Sequence, residues 1–156
     1  MGAGDTKASG RYIHDLINRK LPASVMKNRI FSFVYVKDVA QAIVNALEKE
    51  NNIGEKYLIG KYRYKWREIN EMVSEISGVS LPKISIPDSV TMMNAFLLTG
   101  LANLIKKPPL WGMAIDQMKV MKAGLNVDGS KAEKELGIKY TPIRFALQEA
   151  INSFKN

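Results

Sequence analysis

The sequence predicts an α/β chain: several amphipathic helices gathered around short strands, in a single domain. Three observations carry that prediction. From Ser32 to Gly60 the residues read strand, helix, turn, strand. Later segments repeat apolar residues at helical spacing, and short alternating runs lie between them. With 156 residues, 46% of them hydrophobic, the chain is long enough to bury a core of its own.

In chain order, Gly2 to Gly10 is a small, polar loop, and Ser9 is placed to cap a helix over Arg11 to Lys20. Ile13, Leu16 and Ile17 would face inward there, with His14 on the flank. A Pro-containing loop from Leu21 to Arg29 leads into the Ser32–Gly60 block. Phe33 to Val36 is aromatic and β-branched, which suits a pleated, half-buried strand. Asp38 is expected to cap the next helix, whose apolar series is Val39, Ala40, Ile43, Ala46 and Leu47. Asn51, Asn52 and Gly54 end it, and Tyr57-Leu58-Ile59 is the next short strand.

Trp66, Ile69, Met72, Val73 and Ile76 mark a helix closed by Gly78. Lys65 occupies its N-cap position, a poor cap that Glu68 compensates by bonding back to the free N–H. Lys83 to Ile86 alternates like a strand and stops at Pro87, which opens an apolar helix running through Val90–Ile105. Lys106-Lys107-Pro108-Pro109 breaks that helix, and Trp111 to Lys122 forms the next. Leu125 to Val127 is a short strand. Ser130-Lys131-Ala132-Glu133 fits a capping box for a helix ending at Gly137. Thr141-Pro142 starts the last helix, with Ile143, Ala146, Leu147, Ala150 and Phe154 along one stripe.

Composition narrows the function. No cysteine and one histidine exclude a disulfide framework and leave too few ligands for a zinc site. The net charge of +8 is spread along the chain, and its densest run (Lys61, Arg63, Lys65, Arg67) has no recognition-helix pattern beside it. A solvated basic surface, not nucleic-acid binding, is the expectation. Asn94, Thr99, Gly100 and Asn103 interrupt the apolar stretch, which is expected not to span a membrane. With no basic-then-apolar opening segment, the expected location is cytoplasmic. Tyr57 and Lys61 match Tyr-x-x-x-Lys in spacing only. On a strand they alternate faces, whereas the proton chemistry needs them one helical turn apart. The run from Gly54 to Lys61 is one residue too long for a phosphate loop and lacks its Ser or Thr.

The block Phe33-Val34-Tyr35-Val36-Lys37-Asp38-Val39-Ala40, followed by Gly54-Glu55-Lys56-Tyr57-Leu58-Ile59-Gly60, resembles the second half of extended short-chain dehydrogenase/reductases. The nearest pattern is that of the dihydroflavonol-reductase-like and NAD-dependent epimerase/dehydratase members. Gly2-Ala3-Gly4-Asp5 is similar to the family's Gly-Pro-Gly-Asp turn, and Ser130-Lys131-Ala132 with Glu135-Leu136-Gly137 continues the likeness. The resemblance implies the C-terminal, substrate-side part of a Rossmann-type enzyme without its Gly-rich half. In the family the dinucleotide turn and the catalytic Tyr-x-x-x-Lys helix both lie upstream of the Gly-Pro-Gly-Asp turn. No catalytic or cofactor-binding residue is therefore expected in this chain, nor NAD(P) binding by the chain alone.

The implied function is the substrate-binding portion of an NAD(P)-dependent reductase or epimerase acting on a small carbonyl or hydroxyl compound, inactive in isolation. Its expected partners are the small-molecule substrate and a cofactor-domain half in cis or trans, with self-association. Expected cleft residues are Asp5, Ser9, Arg29, Phe31, Tyr35 and Met92. Nucleotide-sugar members usually place an Arg where Phe31 stands, and that Arg contacts a diphosphate. The departure favours an apolar or aromatic substrate, with Arg29, two residues earlier on the same strand face, as a possible substitute. The alternatives are a nucleotide-sugar epimerase fragment, a non-catalytic partner-binding module, and a basic membrane-surface protein using Val90–Ile105.

Overall fold

A computed structural model describes residues 1–5, 8–107 and 114–155. The elements are α1 (Ala8–Ile17), β1 (Ile30–Phe33), α2 (Val36–Glu48), β2 (Tyr62–Lys65), α3 (Trp66–Ser77), α4 (Asp88–Ile105), α5 (Ile115–Ala123), α6 (Ser130–Leu136) and α7 (Ile143–Ser153). The α/β reading holds, with helices dominating.

β1 and β2 form an antiparallel pair with Phe31 opposite Tyr64 and Ser32 opposite Arg63. On the other edge of β1, Leu125 makes a single parallel bridge: Ser32 N–H donates to Leu125 O at 2.7 Å, and Leu125 N–H to Ile30 O at 3.1 Å. This approach explains Gly124. Its φ is +73°, and a Cβ there would sit 2.6 Å from the Ile30 carbonyl oxygen. Lys83–Ile86 likewise reduces to one bridge, Ser85 with Ser24.

The main core lies between α1, α3, α7 and the sheet. Ile13, Leu16, Phe33, Trp66, Val73 and Leu147 are among its buried members. Three of the expected stripe positions of α3 are buried (Trp66, Ile69, Val73), as are four of α7 (Ile143, Ala146, Leu147, Ala150). A smaller cluster joins α2 to α6 through Ala42, Ala132, Leu136 and Ile138. Lys65 N–H donates to Glu68 Oε2 at 2.6 Å, so the compensated cap of α3 forms as expected. Lys61, Arg63 and Lys65 lie together on the exposed side of the β2 segment.

Several boundaries differ from the sequence expectation. The strand ends at Phe33, and Val36 already begins α2. Val36 N–H is taken by the Met1 carbonyl at 2.9 Å, which supplies an acceptor that a helix start needs from outside. Asp38 therefore caps nothing: it lies in the first turn, buried, with its carboxylate turned to Thr141. Ser9 sits inside α1 rather than before it, so the loop expected to reach Gly10 gives way to helix at Ala8. Gly129, not Ser130, holds the N-cap position of α6, and Asp128 Oδ1 accepts from Ser130 N–H at 2.9 Å in place of the expected capping box. Pro142 precedes α7. The expected helix from Trp111 starts, in the described part, at Ile115; Trp111 itself, like Pro108 and Pro109, lies outside the described residues.

The largest difference concerns α2. Its buried residues are Asp38 and Ala42, whereas Val36, Ile43, Val44 and Leu47 point outward, Leu47 with 81% of its surface exposed. Tyr57–Ile59, expected as a strand, forms no ladder among the described residues, and Leu58 is 61% exposed.

Candidate substrate site

Five of the six expected cleft residues fall into two groups, and Tyr35 stands apart from both. Asp5 and Ser9 meet where the N-terminal turn enters α1: Ser9 Oγ donates to Asp5 Oδ2 at 2.7 Å. The turn has Gly4 at φ +76°, a backbone that glycine adopts without a Cβ penalty. It lies against α7, with Gly4 N–H 3.5 Å from Ser153 Oγ. Gly2 packs so closely on Val36 and the Tyr35 ring that an added Cβ would fall 2.6 Å from Val36 Cγ1.

Tyr35 does not open onto a cleft. Its ring is buried in the main core, edge-on to Phe145 at 5.9 Å. Its hydroxyl donates to Glu149, which also accepts from Lys37 Nζ at 3.2 Å. Burial and the Glu149 carboxylate push the Tyr35 phenol up, and the Tyr35 hydrogen bond in turn holds the Glu149 carboxyl below its ordinary value.

Arg29, Phe31 and Met92 form the second group. Arg29, just before β1, directs its guanidinium onto Asp88 in the first turn of α4, with Nε donating to Oδ2 at 3.0 Å. Met92 stands one turn further along α4, half-buried. Phe31 joins an aromatic cluster centred on Trp66, whose ring lies 5.5 Å from Phe31, 6.1 Å from Phe33 and 4.8 Å from Tyr12.

Tyr12, one turn beyond Ser9 on α1, links the two groups through Trp66. Burial raises the Tyr12 phenol, and the polar groups of Trp66 and Asn70 beside it oppose that shift. Trp66 Nε1 and Asn70 Oδ1 are buried beside the Tyr12 hydroxyl without a hydrogen bond of good geometry among the described residues. Tyr12, Trp66, Asn70 and Asp88 were not among the expected site residues. Trp66 was legible only as a core position of α3, and helical spacing cannot distinguish a core ring from one lining a site.

No group of acidic or histidine side chains able to hold a metal ion occurs among the described residues. No described helix is long and apolar enough to cross a membrane.

Comparison with known proteins gives these residues a context. No protein-family model matches the chain. A Synechocystis protein named as a dihydroflavonol 4-reductase is 26% identical over 161 residues, covering 100% of this chain and 46% of the relative. Sterol demethylase protein B of Methylococcus capsulatus is 26% identical over 148 residues, covering 94% of this chain and 44% of the relative. The chain thus spans about half the length of the curated relatives it matches.

Among solved structures, gox2253 superposes with a TM-score of 0.74 at 30% identity, over 99% of this chain and 46% of that one. The UDP-glucuronic acid 4-epimerase of Bacillus cereus, solved with UDP-glucuronic acid and NAD, gives 0.66 at 22% identity, over 99% and 42%. That likeness is one of fold. Motif order, fold and matched length agree. The chain is similar, over its whole length, to about half of proteins named as a dihydroflavonol 4-reductase and as NAD-binding epimerases, consistent with the C-terminal half of an extended short-chain dehydrogenase/reductase.

Proposed function

We propose that this chain is the substrate-binding portion of an NAD(P)-dependent reductase and works only when joined, in cis or in trans, to a cofactor-binding half. The observation that carries the reading is the outward apolar face of α2, with Ile43, Val44 and Leu47 exposed, together with a Tyr57–Ile59 segment that has no ladder partner among the described residues. An apolar helix face and an open backbone edge are what a neighbouring sheet would cover. In the family that neighbour holds the nicotinamide, the source of hydride, and supplies the Tyr–Lys pair. The role left to this chain is to bind and orient the substrate and exclude water.

The substrate class is a small, flat, largely apolar carbonyl compound. Phe31 is packed on Trp66, and the guanidinium of Arg29 is already neutralised by Asp88, so neither offers a free cation to a diphosphate. The names of the two curated relatives, one a dihydroflavonol reductase and the other a sterol demethylase component, point the same way. Asp5, Ser9, Phe31 and Met92 are the residues proposed to border the substrate, with Arg29 holding α4 in place. Tyr35 is assigned to the scaffold.

The test is to read the DNA upstream of the Met1 codon. An in-frame strand–Gly-rich turn–helix and a helical Tyr-x-x-x-Lys are expected, and the longer protein should oxidise NADPH with a dihydroflavonol but not turn over a UDP-sugar. UDP-sugar turnover would replace the reductase reading by the epimerase one. A reading frame with neither element would leave a non-catalytic partner-binding module.

A further inference from the structure

We propose that α4 docks the protein on an anionic membrane surface, lying in the plane of the lipid headgroups without crossing the bilayer. The inference rests on α4 alone and stands apart from the proposed enzymatic role.

The helix is built with its small residues inward and its large ones outward. Thr91, Ala95 and Ala102 face the protein and are buried. Thr99 accepts the Ile115 N–H at 2.9 Å, which fixes α5 against that same side. Met93, Phe96, Leu97, Leu101 and Leu104 lie on the other side, with Phe96 70% and Leu104 81% exposed. Their spacing of three and four residues makes one continuous stripe along a helix about 27 Å long. A water-facing helix carries charge on its outer side. This one has no charged residue from Ser89 to Ile105.

Charge decides which occupant fits the stripe. The only acid of α4, Asp88, is held by Arg29, and the helix runs out into exposed Lys106 and Lys107. These 156 residues carry a net charge of +8. An apolar stripe ending in a lysine pair is the arrangement that sinks side chains into the acyl boundary while the ammonium groups meet anionic headgroups. A second copy of the chain fits less well, since it would bring another +8 of like charge against the lysine pair.

Flotation with vesicles of phosphatidylcholine alone, or mixed with phosphatidylglycerol, tests the proposal on the full chain. Binding is expected to the mixed vesicles and to weaken with salt. Phe96→Asp with Leu97→Asp should lower that binding about tenfold or more, with the melting temperature unchanged because both side chains are exposed. Lys106→Glu with Lys107→Glu should abolish the preference for anionic vesicles. The proposal is overturned if the chain ignores both vesicle types, or if the Asp variant floats as well as the parent. It is equally overturned if sedimentation shows a lipid-free dimer that the Asp variant dissociates, which would give the stripe to a second copy.

Discussion

Asp38 and Thr141, which are 103 positions apart in the chain, are joined by two hydrogen bonds: Asp38 Oδ2 accepts from the Thr141 N–H at 2.8 Å and Oδ1 from the Thr141 hydroxyl at 2.7 Å. The pair ties the first turn of α2 to the segment entering α7, and it uses both carboxylate oxygens. Asn has only one acceptor oxygen and would turn its NH2 toward a donor. Asp38→Asn should therefore destabilise the protein by about 1–3 kcal/mol, nearly as much as Asp38→Ala. Urea denaturation of both variants is the measurement. A harmless Asn variant would restore the capping role that the residue pattern first suggests.

The Tyr35–Glu149 contact makes a pH-dependent contribution. The Tyr35 hydroxyl, followed by Lys37, holds the Glu149 carboxyl below its ordinary value of 4.5. A carboxyl depressed in the folded state stabilises the fold above its unfolded value, and that contribution disappears as pH falls through the folded value. The stability gap between the parent and Tyr35→Phe should be constant near neutrality and narrow below 4.5. Urea midpoints measured down the acid limb would show it, and a gap independent of pH would mean the hydroxyl acts on something other than Glu149.

Arg29 and Asp88 are each about one-third exposed, with side-chain exposures of 38% and 34%. A pair so placed contributes about 1 kcal/mol or less to overall stability. Its effect should instead be local. Asp88→Asn is expected to speed amide exchange in the first turns of α4 while α3 and α7 stay protected. Uniform acceleration across the molecule would contradict this.

Leu58 offers a test of the open edge. Its backbone has no ladder to lose within the described chain, so Leu58→Pro should leave the melting temperature of the monomer nearly unchanged. Any self-association through this segment, read by sedimentation at micromolar concentration, should weaken. A dimer unaffected by Leu58→Pro places the contact elsewhere, with the α4 stripe the next surface to examine.

Calorimetry with NADH and NADPH addresses the cofactor directly. Most dinucleotide affinity comes from a pyrophosphate held at a Gly-rich turn and a helix N-terminus, and the sequence contains no such turn after a strand. Micromolar binding by the chain alone would contradict the assignment of cofactor binding to another half.

Much of the fold was legible because periodicity reports which residues share a face. The stripes of α3 and α7 coincide with buried positions, since both helices pack on the core by their most apolar side. The same logic misreads α2. Its apolar face is as regular, but Ile43 and Leu47 are exposed, and a period cannot say what a face packs against. The strand boundary was displaced for a related reason. Val34-Tyr35-Val36 has β propensity, yet a distant acceptor, the Met1 carbonyl, lets the helix begin at Val36. Around the candidate residues, the Arg29–Asp88 pair and the Tyr12–Trp66 contact join residues far apart in the chain and leave no local signature.

The position of α7 in the core has a consequence for how the chain acquires its structure. Ile143, Leu147 and Ile151 are fully buried, and Thr141 and Glu149 secure α2 and Tyr35. All of these follow β1, β2 and α3 in the order of synthesis. Until they emerge, Phe33, Trp66 and Val73 lack one wall, and the contacts still to form are those of greatest sequence separation, which are the slowest to close. Folding of this core is therefore deferred until α7 has emerged. A nascent chain stalled before residue 143 would present its apolar surface to chaperones rather than a partly finished domain.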